Sequence, residues 1–178
     1  LAMNQKGFTL IELLATITIL SMIMLVAIPN IMSTLDKSKR RTYVEDAKKM
    51  ITLAEYKFRS DTTVEAPNGT KANVFPLASM DLTDFSDGPE GGSYDLQSSY
   101  VVMIKKNNTY NYYVTLVESY GSVNNYKYRG ISLKTRDDLL NQDSINSVVD
   151  FSTKPSKLVR NNTVKINGTN YTVNYVYS

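Results

Sequence analysis

Lys6-Gly7-Phe8-Thr9-Leu10-Ile11-Glu12 stands near the start of the chain, and Glu12 is the only charged residue between Phe8 and Leu35. Apart from Glu12 the stretch is uncharged, and it is longer than the roughly 20 apolar residues that a helix needs to cross a bilayer. Its many β-branched residues disfavour a helix in water, but in lipid the backbone must satisfy its own hydrogen bonds. The stretch therefore predicts a membrane-inserted helix.

Two simpler explanations of this stretch must be weighed. A secretory signal peptide has an apolar core of about 7–15 residues that ends in small residues. Here the core is longer, and Ala27-Ile28-Pro29 is a poor cleavage site. A plain single-pass anchor stays open, but it must accommodate Glu12. A charged side chain at mid-membrane costs about 2.5–3.5 kcal/mol on insertion scales, and less near the interface.

The helical pattern has a proline inside it and continues beyond the apolar stretch. Pro29 removes one helical hydrogen bond, so it predicts a kink or a local loosening. After Asp36, apolar residues recur at three- and four-residue spacings, as on a helix that packs against a domain. These are Tyr43, Ala47, Met50, Ile51, Ala54 and Phe58. The opposite face is predicted to carry Lys39, Arg40, Glu45, Asp46, Lys49 and Lys57. One helix over roughly residues 8–60 is therefore predicted.

The rest of the chain reads as a β-rich domain. Residues 61–99 are rich in turn-forming residues and predict a long connection, with one short element near residues 74–80. Val, Ile, Tyr and Thr then predict an antiparallel meander over residues 100–105, 109–119 and 126–133. A short helix is predicted over 136–143, and a hairpin around Asn167-Gly168-Thr169-Asn170. The predicted fold class is α+β, with the long helix packed on an antiparallel sheet.

Composition narrows the function. The 178 residues carry a formal charge of +3 and contain no cysteine and no histidine. Disulfides, thiolate metal sites and the commonest general base are therefore excluded. A mild positive net charge alone does not indicate nucleic-acid binding, which usually shows as a concentrated basic face. The sequence shows no Gly-rich phosphate loop and no metal-ligand cluster, so no enzyme activity, metal or cofactor is predicted.

The segment Lys6 to Leu14, followed by an apolar stretch with Pro29, resembles the N-terminus of type IV pilins and of the type II secretion and competence pseudopilins. The resemblance covers roughly residues 6–35. It implies that a prepilin peptidase cuts between Gly7 and Phe8, and that Phe8 is then N-methylated. It also implies that Glu12 attracts the amine of Phe8 on a neighbouring subunit. Pro29 would mark where the helix loosens as subunits enter a filament.

The resemblance implies four segments: a prepilin leader (1–7), a transmembrane and assembly half of the helix (8–35), an amphipathic half (36–60) and a globular β-rich head (61–178). It implies a structural subunit of a type IV pilus or pseudopilus. The partners would be other copies or related pilins, the prepilin peptidase and membrane lipid before assembly. The precursor would span the cytoplasmic membrane once with its head outside, and the assembled protein would reach the cell surface. A membrane-anchored surface-binding domain that does not polymerise is the alternative.

A basic cluster, Lys37-Ser38-Lys39-Arg40-Arg41, follows the apolar stretch. It is interpreted as a solvated helix face, a contact for anionic lipid headgroups, or a contact for DNA phosphates if the filament serves competence. Only Lys6 flanks the other side, so the positive-inside rule places the C-terminal domain in the cytoplasm. The resemblance implies the opposite orientation.

Overall fold

The computed structural model describes Gly7, residues 9–85 and residues 87–178, with the backbone alone at Pro29, Asn30 and Asp84. Helix α1 runs from Leu10 to Ser60 and confirms the predicted long N-terminal helix. Its backbone is helical through Pro29, so the proline does not end the helix, and the kink stays a prediction.

The chain divides into two compact units, with the boundary between Ser38 and Lys39. In the first unit, residues 10–35 of α1 form what we call the apolar segment. Its large apolar side chains are all at least half exposed, from 80% at Leu10 to 50% at Leu35. Among the described residues, α1 is the one helix long and apolar enough to cross a membrane. An exposed apolar surface of this extent marks a membrane or protein contact.

The second unit, from Lys39 onward, is called the head unit and contains a single mixed sheet. In the described part of the chain its strands are β1 Lys71–Pro76, β2 Ser93–Tyr94, β3 Tyr100–Lys106, β4 Thr109–Ser122, β5 Asn125–Lys134, β6 Val148–Phe151, β7 Thr163–Ile166 and β8 Thr169–Val176. A short helix α2, Arg136–Leu140, and the 3₁₀ turns Leu77–Ser79, Leu82–Asp84 and Gln142–Ser147 complete the unit. The strand order is β6-β5-β4-β3-β1-β8-β7, and β2 pairs with β4.

The predicted α+β class and the meander β3–β4–β5 are confirmed. The sheet is not purely antiparallel, because β8 lies parallel to β1. The β7–β8 hairpin turns on two residues, Asn167 and Gly168, with φ of 49° and 84°. Positive φ at both positions is what a type I′ turn requires, and Asn-Gly supplies it with little strain.

The apolar stripe of α1 packs on one face of the sheet, as predicted. Tyr43, Ala47, Met50 and Ala54 are fully buried there with Phe75 of β1 and Val101 and Met103 of β3. A second buried cluster covers the other face of the same two strands with residues of the β7–β8 hairpin: Val74, Val102, Ile104, Val164, Ile166 and Val173. Because both faces of β1 and β3 are covered, these two strands form the centre of the head unit.

Two predictions about this unit need correction. The short element expected near residues 74–80 overlaps β1 and the turn Leu77–Ser79, but the rest of the prediction for 61–99 is too simple, because β1 is a central strand of the sheet and β2 pairs with β4. In β1, five consecutive residues are buried, so the strand lacks the alternation that marks a half-exposed strand in a sequence. Asp46, assigned to the exposed face of α1, is 4% exposed and accepts a 2.5 Å hydrogen bond from the Tyr94 hydroxyl.

Candidate functional site

The first turn of α1 is closed by a reciprocal pair of hydrogen bonds. The Thr9 backbone N–H donates to Glu12 Oε2 at 3.3 Å, and the Glu12 backbone N–H donates to Thr9 Oγ1 at 3.2 Å. This arrangement is a capping box, which satisfies two of the N–H groups that a helix start leaves unpaired. Glu12 also lies where the positive end of the helix dipole favours an anion. The carboxylate therefore has stabilising partners within its own chain.

Thr9 is the residue of this site that the sequence analysis missed. The signal was present, since Thr-x-x-Glu directly before an apolar run is a sequence signature of a helix start. The capping box supplies a second explanation of Glu12 that needs no neighbouring subunit.

Gly7 lies in open space. Among the described residues, a Cβ built on Gly7 would meet no atom within 4 Å, and the φ of Gly7 is not in the left-handed region. The fold of this chain therefore does not require glycine at position 7. Lys6 and Phe8, the other residues of the predicted cleavage and methylation site, lie outside the described residues.

Three hydroxyl groups of the apolar segment bond to their own helix. Thr16, Thr18 and Ser21 donate to the carbonyls of Glu12, Leu14 and Ile17, four residues back, at 2.8, 2.8 and 2.9 Å. A hydroxyl satisfied in this way loses little when it leaves water. The first half of the segment therefore presents a mainly apolar surface, in which Glu12 is the one charged residue.

The head unit holds its own part of α1 through a buried carboxylate. Glu118 of β4 is fully buried, and its Oε1 accepts a 2.6 Å hydrogen bond from the Tyr43 hydroxyl. The backbone N–H groups of Glu90 and Gly92 donate to Glu118 at 3.1 and 2.7 Å. A Cβ on Gly88 would lie 2.1 Å from Glu118 Cδ, so glycine is required there.

Further polar contacts support this attachment. Glu90 pairs with Arg129 of β5 at 2.6 Å and with Lys39 of α1 at 3.3 Å. Burial, together with the hydrogen bond to Glu118, raises the pKa of Tyr43 far above its usual value. Burial and the bond to Asp46 raise the pKa of Tyr94 in the same way. Both phenols therefore stay protonated and act as donors.

Two residues of the predicted basic cluster, Lys39 and Arg40, contact other residues of the head unit. Besides the Lys39–Glu90 pair, Arg40 donates to the carbonyl of Ile145 at 3.1 Å. Within the described ranges, no group of three or more acidic side chains is placed to hold a metal ion.

One of the comparisons with known proteins matches the N-terminal segment that contains the helix start. The family model described as the prokaryotic N-terminal methylation motif matches residues 2–28, which include Gly7, Phe8 and Glu12. No curated protein and no solved structure matches the chain significantly. The match ends one residue before Pro29 and leaves the head unit outside it. The chain thus carries the prepilin signature, the N-terminal methylation motif of type IV pilins and pseudopilins.

Proposed function

We propose that this pilin-like protein is a structural subunit of a type IV pilus or pseudopilus and polymerises through the apolar segment of α1. The observation that carries the proposal is the methylation motif on a helix whose apolar side chains are all at least half exposed. Such a surface is stable in lipid, and it is equally suited to packing against the same segment of other copies. The proposal assigns the chain no catalytic activity.

Processing would precede assembly. A prepilin peptidase would cut between Gly7 and Phe8, and the new N-terminal Phe8 would be methylated. Since the fold of this chain does not require glycine at position 7, we attribute the glycine to the peptidase, which would bind the backbone closely there. The precursor would span the cytoplasmic membrane with its head outside and later join other copies or related pilins at the cell surface. DNA is a partner only if the filament serves competence.

Glu12 would exchange its capping role for a contact with the Phe8 amine of a neighbouring subunit. Attraction between the two charges is strong in a low dielectric, but removing both from water offsets most of the gain. The pair would therefore set the register of one subunit against the next. Packing of the apolar segments would supply most of the cohesion.

The capping box specifically favours one alternative. Because Glu12 is satisfied within its own chain, a single-pass anchored domain that binds a ligand at the cell surface would not need a second subunit. In that case Glu12 would serve only to start the helix.

The substitution Glu12→Gln separates the two functions, because glutamine fills the same position of a capping box without a charge. In intact cells we expect Glu12→Gln and Glu12→Ala to insert normally and to abolish sheared surface filaments. Thr9→Ala, which removes the cap and keeps the carboxylate, should retain filaments. External protease should digest the head unit in all variants. Filaments at the unmodified level in Glu12→Gln, or a protected head unit, would contradict the proposal.

A further inference from the structure

The two edges of strand β8 are paired to different lengths. On one edge, β1 pairs with β8 as far as Val176. On the other edge, β7 pairs with β8 only as far as Thr172. Two backbone hydrogen bonds extend this second pairing by one residue: the Asn161 N–H donates to the Val173 carbonyl at 2.9 Å, and the Val173 N–H donates to the Asn162 carbonyl at 2.8 Å.

A turn ends this second pairing. Asn161 has a φ of 72°, in the left-handed region that asparagine tolerates. The Val159 N–H donates to Asn162 Oδ1 at 2.9 Å, and the Asn162 N–H donates to the Val159 carbonyl at 3.0 Å. Among the described residues, no strand and no backbone hydrogen bond then covers that edge of β8 over residues 174–176. An open edge of this kind can take a further extended segment through backbone hydrogen bonds.

A groove of about 690 Å³ lies beside this open edge. Its lining includes residues 174–176 and the segment 157–160, which leads into the turn. Val159 and Tyr175 of this lining are 44% and 41% exposed. The volume is typical of ligand pockets, which span about 300–1,000 Å³. The open edge therefore adjoins a space that can hold a short peptide and that offers exposed apolar side chains.

The groove also carries positive charge. Residues 151–178 contain four basic residues and no acidic residue. Of these, Lys157 and Arg160 line the groove, and neither forms an ion pair within the part of the chain that the structure describes. Glu65 is the one acidic residue in the described lining. With two cations and one carboxylate, the groove favours an acidic partner.

Charges beside an open edge have a simpler explanation as well. Native proteins place lysine at such edges to prevent pairing with other chains. That explanation accounts for Lys157 and Arg160. It does not account for the exposed side chains of Val159 and Tyr175 in the same groove, because exposed apolar surface favours association. The combination of an open edge, cations and apolar groups fits a binding site better than a protected edge.

We propose that the groove beside β8 binds an extended acidic segment of another protein, which adds to the sheet along residues 174–176. Carboxylates of this segment would pair with Lys157 and Arg160. Its apolar side chains would cover Val159 and Tyr175, since a strand carries alternate side chains on its two faces. The inference goes beyond the proposed function, because the site needs only the head unit and no filament. The head unit is then an attachment site for a second protein.

Peptide binding to the full chain in neutral detergent micelles tests the inference. The probe is a fluorescein-labelled peptide that alternates glutamate and valine, followed by fluorescence anisotropy. We expect this peptide to bind, and a peptide of alternating lysine and valine not to bind. Lys157→Glu with Arg160→Glu should weaken binding of the glutamate peptide about ten-fold and should allow the lysine peptide to bind, which would also show that the variant folds.

The matched control for charge reversal is Lys106→Glu with Lys127→Glu. Both lysines are exposed and lie outside the groove, so the change in net charge is the same as in the test variant. We expect the control to leave the affinities for both peptides unchanged. Equal losses of affinity in the control and in the Lys157/Arg160 variant would overturn the inference, because they would reflect net charge alone.

A third peptide separates strand addition from simple charge attraction. Methylation of the backbone nitrogens of the glutamate peptide removes its N–H donors and keeps every side chain. We expect the methylated peptide to bind at least about ten-fold more weakly, because the open edge loses its backbone partners. Equal binding of the methylated and unmethylated peptides would overturn the inference.

The remaining outcomes assign the groove another role and also overturn the inference. If the glutamate peptide does not bind and the Lys157/Arg160 variant aggregates, the two cations protect the open edge. Self-association of the unmodified chain that the same substitutions abolish would assign the groove to a second copy. Tighter binding of a single-stranded oligonucleotide than of the glutamate peptide would assign it to nucleic acid. Filament formation in cells tests the proposed function independently of all these results.

Discussion

The two parts of α1 are one helix built for two different surroundings. In the apolar segment, every large apolar side chain is at least half exposed, and the hydroxyls of Thr16, Thr18 and Ser21 bond to the backbone of their own helix. In the head unit, the apolar side of the helix is buried and its polar side chains Tyr43 and Asp46 bond to residues of the sheet. The difference teaches that the apolar side of α1 in the head unit is covered by its own chain, whereas the apolar segment needs lipid or other copies to cover it.

Two methionines on the same helix test this contrast most strongly. Met50 is fully buried in the head unit, and Met22 is 62% exposed in the apolar segment. Met50→Ala should lower the free energy of unfolding of the head unit by about 2–5 kcal/mol, because it leaves a cavity. Met22→Ala should leave that free energy unchanged. Urea unfolding of the full chain in detergent micelles, followed through the tyrosines of the head unit, measures both. Equal losses of unfolding free energy in the two variants would contradict the contrast between the two parts of α1.

Loss of the Glu118 carboxylate should have a somewhat smaller effect. Glu118→Ala leaves the Tyr43 hydroxyl and the N–H groups of Glu90 and Gly92 without their acceptor, which should cost about 2–3 kcal/mol of stability. Glu45→Ala is the matched control: Glu45 pairs with Lys48 on the exposed side of α1, and the expected loss is under about 1 kcal/mol. The same urea titration applies, and similar losses in both variants would show that the buried carboxylate adds nothing.

Alkaline pH should lower the stability of the head unit alone. Near pH 10 this effect should be the smallest of those predicted here. Every tyrosine lies at or beyond Tyr43. Burial raises the pKa of Tyr43 and Tyr94 far above 10, and raises that of Tyr112 and Tyr177 to about 12. Below pH 10 both folded and unfolded tyrosines are protonated. Above pH 10 only the unfolded chain loses these protons, so stability falls by about 1.4 kcal/mol per pH unit for each fully buried group.

Ultraviolet titration of the phenols against circular dichroism checks this prediction. Tyr43→Phe and Tyr94→Phe each remove a donor to a buried carboxylate, so they should lower stability at neutral pH, but stability should then fall less steeply above pH 10 than in the unmodified chain. A slope above pH 10 that neither variant changes would mean that the buried phenols do not drive the alkaline transition.

The sequence predicted the features that rest on local patterns. Spacing of three and four residues located the stripe of α1, and Asn-Gly located the β7–β8 turn. The parallel pairing of β1 with β8 was not predictable in this way, because the two strands lie about a hundred residues apart. The burial of Asp46 was missed for a related reason. The apolar spacing places Asp46 on the polar side of the helix, and its carboxylate can be buried because the Tyr94 hydroxyl, from a distant strand, donates a hydrogen bond to it.

At the candidate site, the resemblance identified Gly7, Phe8, Glu12 and Pro29, and the matched motif covers the positions of the first three. The roles of these four residues remain predictions. The capping box at Thr9 could have been read from the sequence, since it depends on two residues three apart. The contacts of Glu118 could not be read in this way, because Tyr43, Glu90 and Gly92 reach it only in the folded head unit.

The pairing of β1 with β8 has a consequence for biogenesis. One edge of β1 has no partner until residues 169–176 have been synthesised. Contacts this distant in sequence form slowly, and an unpaired strand edge can pair with other chains in the meantime. The head unit is therefore most prone to aggregation in the interval between the synthesis of β1 and that of β8.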